Sequence, residues 1–281
     1  MLRTAISATV VLILALTAPG QERKPDAAKQ DPPAGAAAAG EGKSQPAPLD
    51  EPITGLAAAR IIRGNRYMQF QLYDQAIAEF KMAIAASKKP LRTAYANLGA
   101  AYSGKHEYRA AVDAYRQALE IAPGDFVLRY QLGDALYFSG EYREAEAEYR
   151  KVLAATARGN PAGHHALGLA LFAQKRVDEA AAEYRIAIEQ AKGNYAEAHY
   201  NFGIALFAQG DGKAAETEFR TAIAQEKKDW PEAHFNLAQA LEKQNRFGDA
   251  AAEYETYLRL APTAEDAAKL RAYIEYLKKR T

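Results

Sequence analysis

Three histidines recur at a fixed interval, and histidine is the commonest protein ligand of metal ions. His164, His199 and His234 follow one another at intervals of 35 residues. Equivalent positions of neighbouring helical repeats lie about 8–10 Å apart, whereas a metal–nitrogen bond is about 2 Å long. We therefore expect these rings to pack inside the fold rather than share an ion. His165 points about 100° away from His164 on a helix, and His106 falls in a turn where we expect it to be solvated.

A series of glutamates could also do chemistry, because aligned carboxylates bind cations or act as acids and bases. If the sequence is read as a series of helix hairpins, these glutamates share one position in the second helix of five hairpins: Glu79, Glu148, Glu183, Glu218 and Glu253. Arg or Lys usually follows each of them two residues later. Catalytic carboxylates need a cleft and perturbed pKa values, and the pattern indicates neither. We interpret the series as a solvated outer face.

The sequence carries none of the motifs that mark an active site. It has no cysteine, no Gly-rich phosphate loop, no Gly-x-Ser-x-Gly and no His-Glu-x-x-His. The residues outside the repeats described below are too few for a catalytic domain. We therefore predict a non-enzyme, with no catalytic residues, no bound metal and no cofactor.

Composition narrows the class of protein further. The 281 residues are 49% hydrophobic and 25% charged, with a formal net charge of +1 and acids interleaved with bases. A nucleic-acid-binding protein needs a basic face, so we expect no nucleic-acid partner. Alanine-rich helix formers dominate and β-branched runs are scarce, which predicts an all-α fold.

The elements that position these residues are helix hairpins. Residues 198–222 read as two amphipathic helices broken at Gly210 and Asp211. Gly203 and Ala215 are small where two helix backbones must approach closely, and Phe219 fills the groove beside them. A hairpin of this size leaves apolar faces uncovered, so it needs copies of itself on both sides.

The chain supplies those copies at intervals of 34 or 35 residues. The small residue of the first helix recurs as Gly64, Gly99, Gly133, Gly168, Gly203 and Ala238. Twelve residues after each come Ala76, Ala111, Ala145, Ala180, Ala215 and Ala250. Four residues further on come Phe80, Tyr115, Tyr149, Tyr184, Phe219 and Tyr254.

This pattern of Leu-Gly, Ala, an aromatic residue and proline resembles the tetratricopeptide repeat family, over about four fifths of the chain. The resemblance implies a right-handed superhelix, an α-solenoid, with first helices on the concave side. It predicts about six hairpins in residues 53–262. Their approximate bounds are 57–90, 92–125, 126–160, 161–195, 196–230 and 231–262. A capping helix follows in 263–281, with an apolar stripe of Leu270, Tyr273, Ile274 and Leu277.

The N-terminus has the features of an export signal. A short basic start precedes an apolar run that ends in small residues at Ala18 and Gly20. We predict a signal peptide over residues 1–20 and a disordered Ala/Pro-rich linker over 21–52. The mature chain would be periplasmic or secreted, without membrane insertion. An uncleaved segment anchored in the inner membrane is the alternative.

The face of each first helix opposite its core stripe is the candidate binding surface. We call it the first-helix stripe, and it combines aromatic, aliphatic and amide side chains that we expect to be exposed. Its members are Asn97, Tyr130, Gln131, Asp134, Tyr137, Phe138, His165, Leu169, Phe172, Tyr200, Asn201, Ile204, Phe207, Phe235, Asn236 and Gln239. Exposed apolar strips and aromatic anchors mark interaction surfaces, so we predict a protein or peptide partner.

Two family sub-types are informative here. The carboxylate clamp that captures chaperone C-termini needs Lys, Asn and Arg where this chain has aromatics and Ala. An asparagine ladder, like that of O-linked N-acetylglucosamine transferase, is similar to Asn97, Asn201 and Asn236, with Gln131 as a substitute and Ala166 as an interruption. Two alternatives stay open: self-association into a homo-oligomer, and an accessory subunit of an envelope or secretion complex.

Overall fold

The computed structural model describes residues 55–156, 159–226, 229–264 and 267–280. Within them it contains thirteen α-helices and no strand. In chain order, α1 to α13 are Gly55–Gln69, Tyr73–Ala86, Arg92–Gly104, Tyr108–Ile121, Phe126–Phe138, Tyr142–Ala155, Pro161–Ala173, Val177–Gln190, Ala196–Gln209, Gly212–Gln225, Pro231–Lys243, Phe247–Leu260 and Ala267–Lys278. The all-α prediction is confirmed. The predicted signal peptide and linker lie outside the described residues.

The helices α1 to α12 form six consecutive hairpins, numbered 1 to 6, and in hairpins 1 to 5 an aromatic ring of the second helix lies on a glycine of the first. In hairpin 3, a Cβ placed on Gly133 would stand 2.6 Å from a ring carbon of Tyr149. In hairpin 5, the same distance from Gly203 to Phe219 is 2.7 Å. Real Cβ atoms cannot come that close, so glycine is required for the approach. The contact predicted for residues 198–222 is confirmed.

The turn inside each hairpin contains one residue in the left-handed backbone region. These are Gln71, His106, Gly140, Lys175, Gly210 and Asn245, with φ between 56° and 99°. Two are glycine, for which this conformation is inexpensive, and four are not. His106 is exposed in its turn, as predicted, and its Nδ1 lies 2.7 Å from the hydroxyl of Tyr108.

Proline and an amide begin the fourth hairpin. The side chain of Asn160 accepts a hydrogen bond from the backbone N–H of Gly163 at 2.8 Å, which caps α7. Pro161 is its first helical residue, where a missing N–H costs nothing. Pro231 begins α11 in the same way.

The chain divides into two compact units within α7, between Ala166 and Leu167. The core of the N-terminal unit includes Ile61, Phe80 and Leu98. The core of the C-terminal unit includes Phe219, Leu241 and Tyr254, and α13 adds Leu270, Ile274 and Leu277 to it. Tyr273 packs half-buried against the same core, so the stripe predicted for the last helix does face hairpin 6.

Candidate partner-binding surface

Four of the five recurring glutamates contact a basic residue on the first helix of their own hairpin. Arg60 Nη1 lies 3.1 Å from Glu79 Oε2, and Arg129 Nη1 lies 2.8 Å from Glu148 Oε2. Each pair joins residues 19 apart in sequence, and Glu79 is buried. The interpretation of this series as a solvated outer face is therefore wrong. The carboxylates sit between the two helices of a hairpin, where a cation offsets the cost of removing them from water.

Histidine takes the place of arginine in hairpins 5 and 6. His199 Nδ1 lies 2.6 Å from Glu218 Oε2, and His234 Nδ1 lies 2.7 Å from Glu253 Oε2. The other ring nitrogen of His199 is 3.0 Å from the carbonyl oxygen of Gly193. Both ring nitrogens of His199 therefore already contact oxygen atoms of this chain.

In the N-terminal unit, the first-helix stripe begins with an amide pair. The side-chain nitrogen of Asn97 donates to Asn65 Oδ1 at 2.7 Å, which joins the first helices of hairpins 1 and 2. Tyr130 and Gln131 are half-buried, and the Tyr130 ring lies 5.6 Å from the ring of Tyr149. The sequence analysis missed Asn65 because it does not occupy the repeat position of Asn97: it lies 32 residues earlier, directly after the small residue of its helix.

The next turn of α5 places one aromatic ring inside the fold and one outside. Tyr137 is buried because its ring packs against Phe138 and Tyr142, with centroids 5.3 and 5.5 Å away. The expectation that Tyr137 is exposed is therefore wrong. Phe138 is 51% exposed and stacks on Tyr108, with centroids 5.1 Å apart. Phe138 is the exposed ring here, and the half-buried Tyr108, which the sequence analysis did not include, packs on it.

Two titratable residues of this unit have shifted pKa values. Desolvation raises the pKa of Asp134 to about 7, against a hydrogen bond from Tyr149 that lowers it. Burial lowers the pKa of His165 to about 4, so its imidazole is neutral near pH 7. Both residues keep some solvent exposure.

In the C-terminal unit, the stripe residues Leu169, Phe172, Asn201 and Ile204 are half-buried. The ring of Tyr200 packs on Trp230 at 4.5 Å, and its hydroxyl accepts a hydrogen bond from Asn236 Nδ2 at 2.8 Å. The Lys243 ammonium lies 4.9 Å from the centre of the Phe207 ring, a cation–π contact. Trp230 was missed because it precedes its helix, as Tyr195 does at the same position before α9.

Three stripe residues of α11 are buried, contrary to the expectation of an exposed strip. Phe235 is 5% exposed because its ring packs edge-on against Tyr254 and Tyr257. Asn236 is buried by its hydrogen bond to Tyr200. Gln239 is also buried, and its Oε1 has no hydrogen-bond partner. Helix α11 packs on hairpin 5 on one side and on α12 on the other, which removes most of its surface from water.

The six hairpins, five of them closed by an aromatic ring on a glycine, define a helical repeat protein. Tetratricopeptide repeat profiles match residues 93–125, 130–198 and 200–265, more than half of the chain. The chain belongs to the tetratricopeptide repeat family. The fold is that of a protein–protein interaction scaffold, and proteins of this family bind protein or peptide partners.

Similar proteins extend the comparison. The chain is 30% identical over 100 residues to heat shock protein STI1 of Saccharomyces cerevisiae, which covers 36% of this chain and 17% of that protein. It spans less than half the length of each curated relative it matches.

Solved structures share the fold. PilW, a widely conserved type IV pilus biogenesis factor, superposes with a TM-score of 0.68 at 17% identity, over 77% of this chain and 99% of that one. YrrB, a tetratricopeptide repeat protein with an unusual peptide-binding site, gives 0.53 at 22% identity, over 69% of this chain and 97% of that one. At these identities, the likeness concerns the fold alone. No helix in the described part of the chain is long and apolar enough to cross a membrane.

Proposed function

We propose that this protein is a non-catalytic, exported scaffold that binds an extended peptide segment of a partner protein on the concave face of its repeats. The observation that carries the proposal is the exposed ring of Phe138 on the first-helix stripe. Phe138 keeps 51% of its surface in water although Tyr108 stacks on it. An apolar ring that is left in water is stabilised when a partner covers it.

The polar members of the stripe favour a peptide over a small molecule. Half-buried amides, such as Gln131 and Asn201, can pair with the backbone N–H and C=O groups of an extended chain. The peptide-binding site named for YrrB, a protein of the same fold, supports this choice. We assign the exposed part of the stripe as the contact surface and exclude the buried residues Tyr137 and Phe235.

Export is the second part of the proposal, and it depends on residues 1–20. An apolar run followed by small residues is typical of a cleaved signal peptide. We expect the mature chain to begin at Gln21 and to be recovered outside the cytoplasm. N-terminal sequencing of the protein purified after cell fractionation tests this. A chain that keeps Met1 and sediments with membranes would favour the anchored alternative.

The binding surface can be tested with one pair of variants. Phe138→Ala removes an exposed ring from the stripe, and Phe70→Ala removes a ring that is 68% exposed from the turn of hairpin 1. Binding of peptides selected from a random library should weaken at least fivefold in the first variant and be unchanged in the second. Circular dichroism should show the same helicity in both. Equal affinities would contradict the assigned surface.

Self-association is the second candidate function, because hairpin 1 exposes several large apolar residues. Leu56, Ile62 and Phe70 are 61%, 69% and 68% exposed. A second copy of the chain that covered them would form a dimer through this hairpin. Light scattering over a concentration series separates the two functions. A receptor for peptides stays monomeric when dilute, whereas a self-associating protein gains mass with concentration.

The third candidate function is that of an accessory subunit of an envelope or secretion complex. A subunit that only positions other proteins needs a constant large neighbour in the cell. Cross-linking in intact cells should then give one high-mass adduct that persists across growth conditions. Many different adducts of small mass would favour the peptide receptor.

A further inference from the structure

Asp134 lies on the first-helix stripe with its carboxylate held from one side only. The hydroxyl of Tyr149 donates to Asp134 Oδ1 at 2.7 Å. Across the described residues, no basic side chain forms an ion pair with Asp134, and no second donor reaches it. A carboxylate that is taken out of water is normally compensated by a cation or by several hydrogen bonds. This one lacks most of that compensation.

The position is special among the repeats. The residue after the small residue of the first helix is Asn65, Ala100, Asp134, Leu169, Ile204 and Gln239 in hairpins 1 to 6. Only hairpin 3 has an acid there. A carboxylate is also not needed to satisfy a buried tyrosine, because the hydroxyl of Tyr115 in hairpin 2 is hydrogen-bonded to the neutral side chain of Ser103.

The surroundings of Asp134 favour a cation. Tyr130 lies one helical turn before it and Phe138 one turn after, so the three share a face of α5. Aromatic faces attract cations through the ring quadrupole, and a nearby carboxylate adds to that attraction. The other stripe residues of the N-terminal unit carry no positive charge, since the pKa of His165 is lowered to about 4.

The arginine on the same helix cannot serve as this cation. Arg129 donates from Nη1 to Glu148 Oε2 at 2.8 Å and from Nη2 to the carbonyl oxygen of Pro123. Arg60 and Arg63 of hairpin 1 are paired with Glu79. The cation that completes the Asp134 site has to come from outside the described part of the chain.

We propose that Asp134 is the receptor for a lysine or arginine side chain of the bound peptide segment, with Tyr130 and Phe138 beside the alkyl stem of that side chain. This inference rests on the proposed function and specifies the chemistry of the partner. The basic head forms a charge-assisted hydrogen bond to Asp134 Oδ2, while Tyr149 keeps its bond to Oδ1. The partner is then a peptide with an obligatory basic residue next to residues that suit an aromatic, amide-lined surface.

The experiment is a selection from a phage-displayed random peptide library on the full-length chain and two variants. Asp134→Asn removes the charge but keeps an acceptor for Tyr149. Glu120→Gln is the control, because it removes an exposed carboxylate from a second helix. We expect peptides recovered on the wild type and on Glu120→Gln to share a Lys or Arg at one fixed position, and those recovered on Asp134→Asn to lack it.

Affinity measurements on one selected peptide make the test quantitative. Replacing its basic residue by norleucine or citrulline should weaken binding at least tenfold on the wild type and less than twofold on Asp134→Asn. Selected peptides that share no basic residue, yet bind the wild type and bind Phe138→Ala more weakly, would overturn this inference and leave the proposed function standing. A selection that recovers no peptide at all would overturn both.

Discussion

The ring of Phe219 lies directly on Gly203, so close that a Cβ on the glycine would stand 2.7 Å from a ring carbon. Five of the six hairpins have the same glycine–aromatic contact, and hairpin 6 has Ala238 at the glycine position. The contact sets how closely the two helices of a hairpin approach. It also makes the effect of a single methyl group measurable.

Gly203→Ala should lower the free energy of unfolding by about 1–3 kcal/mol, because Phe219 or the helix must move to admit the methyl group. Helix propensity alone would raise stability by up to about 1 kcal/mol, so the sign separates the two effects. Urea denaturation followed by circular dichroism measures the change. Gly124→Ala is the control, since nothing lies within 4 Å of a Cβ placed there. A stability gain in Gly203→Ala would refute the steric account.

Gln71→Gly should raise stability by about 1 kcal/mol. Gln71 has φ of 56° in the turn of hairpin 1, where a side chain is strained and glycine is not. Gln117→Gly is the matched control, because Gln117 is exposed inside the regular helix α4, where glycine costs about 1 kcal/mol. Thermal denaturation should therefore shift upward for the first variant and downward for the second. Two downward shifts would show that the turn is unstrained.

The His199–Glu218 pair should contribute a coupling energy of about 1 kcal/mol. A double-mutant cycle with His199→Phe and Glu218→Gln measures it, because each single change leaves one partner without its hydrogen bond. The control is the exposed pair Arg176–Glu179, for which the coupling should be below about 0.5 kcal/mol. Equal couplings in the two cycles would show that burial adds nothing to the first pair.

Asp134 should make the stability of the fold depend on pH. Its pKa is about 7 in the folded chain and 3.8 as an ordinary carboxyl, so the folded state binds more protons between these values. Stability therefore falls as the pH rises from about 4 to about 7, and no further above that range. The two tyrosines that interact with it, Tyr115 and Tyr149, have raised pKa values and stay neutral throughout.

Comparison with Asp134→Asn isolates this effect. We expect the difference in unfolding free energy between variant and wild type to grow in favour of the variant as the pH rises from 4 to 7. Urea denaturation at a series of pH values provides the measurement. A difference that is constant across that range would contradict the shifted pKa.

The repeats could be predicted from the sequence because their period is set by physics that acts locally. A small residue such as Gly133 and an aromatic such as Tyr149 recur together, since each hairpin needs both for the same contact. The 19-residue spacing between Arg129 and Glu148, or His199 and Glu218, was equally regular. The pairs cannot be predicted from the acids or the bases alone, because each pair joins the two helices of a hairpin.

Side-chain burial on the stripe was less predictable, because it depends on which neighbour covers each residue. Tyr137 and Phe138 are adjacent in sequence, yet Tyr142 covers the first while the second remains exposed. Trp230 covers Tyr200 from outside the helical period. The left-handed turns could not be predicted for a different reason. Lys175 and Gln71 are not residue types that favour a positive φ.

Within each unit, every helix packs chiefly on the helices that precede and follow it in the chain. Chains whose contacts join sequence neighbours have low contact order and fold quickly, since little loop entropy is lost before a contact forms. Because each hairpin needs a neighbour to cover its apolar faces, folding can begin once two hairpins, about 70 residues, have been synthesised. If the chain is exported as we propose, translocation has to begin before the hairpins fold, or a chaperone has to delay their folding. The rate of translocation then competes with the rate of folding.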